Sequence, residues 1–82
     1  MKLTKQQNAV IWCVQNGWII ITDSDYKGAI IANNYLQFEI GNRLFWNLVN
    51  KDLIYQGNAE EHRFCYVLTE LGQKIKTKPV EI

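Results

Sequence analysis

The fold of this chain is decided by one stretch of sequence, residues 40–54, which has the order IGNRLFWNLVNKDLI. Apolar residues recur one helical turn apart within it, at Leu44, Phe45, Leu48 and Val49. This spacing predicts an amphipathic helix from residue 41 or 42 to residue 51, with its apolar face in a core. Asp52 follows at the position where a left-handed residue is expected to end the helix, before the chain becomes extended again.

The opposite face of this predicted helix is polar. It carries Asn42, Arg43, Asn47 and Asn50, with Lys51 at its end. Asparagine can recognise adenine and arginine can recognise guanine in the major groove of DNA, so the face suits base recognition. It is also what a solvated outer helix face looks like. Trp46 points partly outward, where it either anchors a protein interface or packs along the flank of the domain.

The segments around this helix predict a small α+β domain. Thr4 and Gln7 have the spacing of a capping box, and Gly17 follows as a left-handed cap, so a first helix is expected over residues 4–16. Strands are predicted at 18–22, 28–32 and 35–38. Turn residues at 56–58, with a tip extending to residue 61, precede a strand at 62–68 and a short helix from 69 to 76. Residues 1–76 form one domain, and 77–82 are expected to be a frayed tail.

The closing part of this pattern resembles a known family. Residues 40–54, followed by a turn and by YVLTELG at 66–72, are similar to the second half of a winged-helix domain. The resemblance implies a recognition helix at 42–51, a β-hairpin wing after it and DNA binding. Residues 18–38 have strand patterns where that family has a further helix, so a hairpin replaces it. Small phage and prophage proteins often have this organisation.

The charges do not concentrate on the predicted recognition element. Residues 39–63 contain three basic residues, Arg43, Lys51 and Arg63. They contain four acidic residues, Glu39, Asp52, Glu60 and Glu61, so the span has a net charge of −1. Five lysines lie near the two ends instead, at positions 2, 5, 74, 76 and 78. They are either a phosphate-binding edge, if the terminal helices pack side by side, or solvated tails.

Other classes of protein are not indicated. An 82-residue chain supports one modest core, and its longest apolar stretch, residues 18–21, is far shorter than a membrane span. No apolar segment typical of a signal peptide follows the first residues, so we expect a cytoplasmic protein with Cys13 and Cys65 reduced. One histidine, His62, and no metal-binding or phosphate-binding motif argue against an enzyme and against a cofactor.

Two functions remain after these exclusions. The first is a small DNA-binding regulator of transcription. Its predicted contacts are Asn42, Arg43, Asn47, Asn50, Lys51, Arg63, Lys74 and Lys76. The alternative is a protein-interaction module, phage-encoded in origin, that uses Trp46, Tyr55 and exposed strand edges to bind a protein partner or a second copy of itself. No membrane and no small-molecule substrate is expected.

Overall fold

A computed structural model describes residues 2–23, 28–60 and 63–81 of the chain. Within these ranges the elements are α1 (Lys5–Gln15), β1 (Ile19–Asp23), β2 (Ala29–Ala32), β3 (Gln37–Ile40), α2 (Asn42–Asn50), β4 (Ile54–Glu60), β5 (Arg63–Leu68) and α3 (Glu70–Lys74). The strands form one antiparallel sheet in the order β3-β2-β1-β5-β4. The predicted α+β class is therefore confirmed.

The helix boundaries follow the local signals in the sequence. Thr4 Oγ1 accepts a hydrogen bond from the Gln7 amide at 3.2 Å, and Gln7 Oε1 accepts one from the Thr4 amide at 3.0 Å, which completes the predicted capping box. Gly17, with φ of 97°, lies in the left-handed region after α1. Asp52 ends α2 in the same region with φ of 61°, as predicted.

The core lies between the helices and one face of the sheet. Phe45 and Leu48 of α2 are fully buried there, together with Leu53 just after the helix, so the predicted apolar face of α2 is confirmed. The Phe45 ring meets Tyr66 of β5 edge-on, with 4.7 Å between the ring centroids. Val10, Ile11 and Cys13 of α1 are buried there as well.

The prediction of a turn at residues 56–58 is wrong, because these residues lie inside β4. The register between β4 and β5 shifts along the strands: Gln56 lies opposite Tyr66, and the next paired residue, Ala59, lies opposite Phe64. Two β4 residues, Gly57 and Asn58, therefore face one β5 residue, which is a β-bulge. The turn-forming residues mark an irregularity within the strand. The predicted tip extends to residue 61, which lies outside the described residues.

The third strand begins two residues later than predicted. The side-chain oxygen of Asn33 accepts hydrogen bonds from the amides of Tyr35 at 2.8 Å and Leu36 at 2.7 Å. An asparagine that binds the backbone two and three residues ahead holds the chain in a turn. Extended pairing with β2 consequently starts at Gln37.

The C-terminal segment is tied to α1 rather than frayed. Thr77 Oγ1 donates to Gln15 Oε1 at 2.6 Å, and the Lys78 amide donates to Asn8 Oδ1 at 2.8 Å. Asn8 Nδ2 in turn donates to the Lys78 carbonyl at 3.0 Å. The side chains of α1 thus bind a segment that has no secondary structure of its own.

Of the helices in the described ranges, none has the length and apolar character to cross a bilayer.

Candidate nucleic-acid interface

The polar face of α2 is presented to solvent by the burial of the opposite face. Phe45 and Leu48 fix the helix on the sheet, while Leu44 and Val49 are half-buried beside them. The predicted contact residues of this helix are all exposed: Asn42, Arg43, Asn47 and Asn50. A helix held by its core face presents its outer side chains in a fixed arrangement, which is what recognition of a groove requires.

These four side chains retain their hydrogen-bonding capacity. Within the described ranges, no hydrogen bond or ion pair to another protein group engages any of them. Three carboxamides offer both donors and acceptors, and the Arg43 guanidinium offers a planar set of donors. The surface can therefore form paired hydrogen bonds with base edges without first breaking bonds within the protein.

A groove of about 1000 Å³ separates α2 from α1. Arg43 and Asn47 line it on the α2 side, and Lys5 and Gln6 line it on the α1 side. Its lining also includes apolar residues from the core and from the end of the sheet, Val10, Cys13, Ile31, Phe38, Ile40 and Leu44. The groove brings Lys5 of α1 onto the same concave surface as the polar face of α2, and Glu39 and Glu81 line it as well.

The C-terminal segment, which carries Lys76 and Lys78, is held beside α1, which carries Lys5. The backbone of Lys78 is hydrogen-bonded to Asn8, one helical turn from Lys5. Lys76 is exposed two residues earlier in the same segment. Lys74 differs, because its ammonium pairs with the Glu70 carboxylate at 2.7 Å, so its charge is locally compensated.

The remaining predicted basic contacts, Arg63 and Lys51, differ in their surroundings. Arg63, at the start of β5, is exposed, but it stands opposite Asp23 of β1 and Glu60 of β4 in the sheet register. Lys51 is half-buried at the C-cap of α2. The start of β5 therefore has acidic neighbours, and the polar face of α2 is the better site for nucleic acid.

The two predicted protein-interface residues do not form one surface. Trp46, which is 39% exposed, belongs to α2 and meets the Phe45 ring edge-on at 5.0 Å. Tyr55, which is 52% exposed, follows the fully buried Ile54 in β4. Since successive strand residues alternate between faces, Tyr55 lies on the sheet face opposite the one covered by α2.

One candidate surface was not predicted from sequence. Tyr35, Leu36 and Phe38 are all exposed where β3 forms an edge of the sheet, although Phe38 also stacks on the buried Trp18 at 6.0 Å between ring centroids. The sequence signal was the apolar character of residues 35–38. Only the sheet order reveals that this apolar strand lies at an edge.

The described part of the chain contains a few possible metal ligands and nucleophiles. No group of three or more histidine, cysteine, aspartate or glutamate side chains in that part of the chain is arranged to hold a metal ion. Cys13 and Cys65 are both free thiols, and burial raises the pKa of the Cys13 thiol above its ordinary value. This shift makes Cys13 a poorer nucleophile at neutral pH. His62 lies outside the described residues.

Comparisons with protein-family models, with curated proteins and with solved structures give no match for this chain.

Proposed function

We propose that this chain is a small, non-enzymatic, cytoplasmic DNA-binding domain of winged-helix type with a regulatory role, and that α2 is its recognition helix. The observation that carries the proposal is the polar face of α2, where Asn42, Arg43, Asn47 and Asn50 are exposed without partners in the described structure while Phe45 and Leu48 fix the helix. Exposed carboxamide and guanidinium groups on a fixed helix match the donor and acceptor pattern of the major groove.

The arrangement of the elements around α2 supports this interpretation. The β4–β5 hairpin directly follows α2, and β5 pairs with β1, so the hairpin is joined to the N-terminal half of the domain. This is the place of the wing in the family that residues 40–72 resemble. The β2–β3 hairpin precedes α2 in the chain, where that family has a further helix, so the chain departs from the family at this point.

The proposed contacts divide into two groups by chemistry. Asn42, Asn47 and Asn50 face adenine edges and Arg43 faces guanine, which gives sequence preference. Lys5, Lys51 and Lys76 contact phosphates, which gives affinity without sequence preference. Lys74 and Arg63 are left out of this proposal because each has an acidic neighbour.

The proposal is tested by the salt dependence of binding to a labelled duplex of mixed sequence. Three phosphate contacts predict that affinity falls by about 40-fold between about 50 and about 200 mM monovalent salt. Fluorescence anisotropy with full-length protein measures this slope. Binding that does not change with salt, or no binding at the lower salt concentration, would contradict the proposal.

A second candidate function, protein binding, is supported by a separate observation. Tyr35, Leu36 and Phe38 expose apolar side chains beside an edge strand, and edge strands have unpaired backbone groups that can bind another strand. This surface lies at β3 beside the polar face of α2, because Phe38 lines the same groove as Arg43 and Asn47.

A further inference from the structure

The two edges of the sheet differ in their ability to accept another strand. One edge, β4, is interrupted by the bulge at Gly57 and Asn58, and a bulge disturbs further pairing. The other edge, β3, pairs with β2 in an unbroken register from Gln37 to Ile40. Its neighbourhood is apolar and open, since Tyr35 is 90% exposed and Phe38 49% exposed. The regular edge is therefore β3.

The pairing of β3 shows which of its backbone groups have no partner among the described residues. The Asn33 amide donates to the Leu36 carbonyl at 2.9 Å, so residues 33 and 36 form a hydrogen-bonded pair. Bonded and non-bonded pairs alternate in an antiparallel ladder, so Phe38 and Ile40 direct their amide and carbonyl groups toward β2. The amides and carbonyls of Gln37 and Glu39 consequently point to the free edge.

We propose that β3 pairs antiparallel with β3 of a second copy of this chain, about a twofold axis that passes beside Phe38. Gln37 of each copy then lies opposite Glu39 of the other, and their outward amides and carbonyls form four intermolecular hydrogen bonds. Phe38 lies opposite Phe38 of the second copy, in the non-bonded pair where side chains are closest. The proposal does not depend on DNA binding.

The register of the dimer follows from the sheet face on which each side chain lies and from the charges that would be paired. Side chains opposite each other must lie on the same face of the sheet. An axis between two residues would pair each residue with its sequence neighbour, whose side chain lies on the other face, so the axis must pass beside a residue. An axis at Glu39 would place two carboxylates directly opposite each other. An axis at Gln37 would require Glu39 to form hydrogen bonds with Tyr35, whose amide already donates to the Asn33 side chain. The axis at Phe38 avoids both problems and uses the full strand.

The groove beside β3 has room for the side chains of the second copy. In this register Leu36 of the second copy lies opposite Ile40, which lines the groove of about 1000 Å³ together with Phe38. Both Leu36 and Phe38 are on the side of the sheet that carries the helices, because Phe38 is paired with the buried Ile31. Pairing therefore buries the apolar side chains that the single chain exposes.

The twofold axis is perpendicular to the sheet. Such an axis reverses the strand direction, as antiparallel pairing requires, and leaves each face of the sheet on the same side. Both copies consequently place their helices on the same side of a continuous ten-stranded sheet. If α2 binds DNA as proposed above, two copies of α2 related by a twofold axis require an inverted-repeat target.

Sedimentation equilibrium on the full chain tests the pairing. We expect a species of twice the 9.6 kDa chain mass in reversible exchange with monomer. A monomer at every concentration up to about 1 mM would overturn the proposal.

Three variants test the register itself. Gln37→Glu places like charges opposite each other twice per dimer and is expected to weaken association by about 2- to 30-fold. The double variant Gln37→Glu with Glu39→Gln restores a neutral–acidic pair and should return affinity to the wild-type value. Glu39→Pro removes an amide that β2 does not use, so it should abolish the dimer while circular dichroism shows a folded chain. A dimer unaffected by Gln37→Glu, or not restored by the double variant, would exclude this register.

Discussion

Replacing Gly72 by alanine is expected to destabilise the domain by about 3 kcal/mol or more, because α3 packs directly on the backbone of the core. A Cβ at position 72 would lie 2.2 Å from the Leu53 carbonyl oxygen and 3.1 Å from Leu68 Cδ2. The Leu53 side chain is fully buried, and its carbonyl also accepts the Thr69 amide at 3.0 Å. A backbone group held in this way cannot move aside as a flexible side chain can.

Urea and thermal unfolding measure this effect, and the chain offers a matched control. A loss of about 3 kcal/mol lowers the melting temperature of a domain this small by about 12–24 °C. Gly28→Ala adds the same methyl group at a position where no atom of the described residues lies within 4 Å, and it should be neutral or slightly stabilising. A Gly72→Ala protein within about 1 kcal/mol of wild type would show that α3 does not pack on Leu53 as described.

Arg43→Ala is expected to weaken binding to a preferred duplex by about 5- to 150-fold, with loss of preference at one guanine. The physical reason is that Arg43 is exposed on α2 with its guanidinium unpaired in the described structure. The duplex is obtained by selecting from a randomised library with wild-type protein, and competition binding with single-base variants measures the change in preference.

The matched control for Arg43→Ala is Lys74→Ala. Both substitutions remove one positive charge, but Lys74 is already paired with Glu70 and lies on α3. Its replacement should change affinity by less than about twofold, since Lys74 is not among the proposed contacts and salt screens an exposed charge that touches no phosphate. An equal loss in both variants would show that total charge, and not the face of α2, governs binding.

The parts of the fold predicted from sequence are those encoded locally. The capping box of Thr4 and Gln7, the left-handed Asp52 and the apolar face of α2 depend on residues within one or two helical turns of each other. Because each signal acts within its own element, the elements and their exposed faces could be read from the order of residues alone.

The parts that escaped prediction depend on distant contacts. The C-terminal segment is ordered by Asn8 and Gln15, which lie some sixty to seventy residues away in the chain. Whether an apolar strand such as β3 lies at an edge depends on the order of all five strands. The bulge at Gly57 and Asn58 looked like a turn because the same residue types suit both, and only pairing with β5 distinguishes them.

The central claim, that the polar face of α2 contacts DNA, is tested most directly by two-dimensional ¹⁵N NMR of the protein titrated with the selected duplex. We expect the largest shift changes at the backbone amides of residues 42–51 and at the side-chain amides of Asn42, Asn47 and Asn50. Saturable binding with these signals unchanged, and with the changes confined to β3 or to the sheet face that bears Tyr55, would contradict the claim.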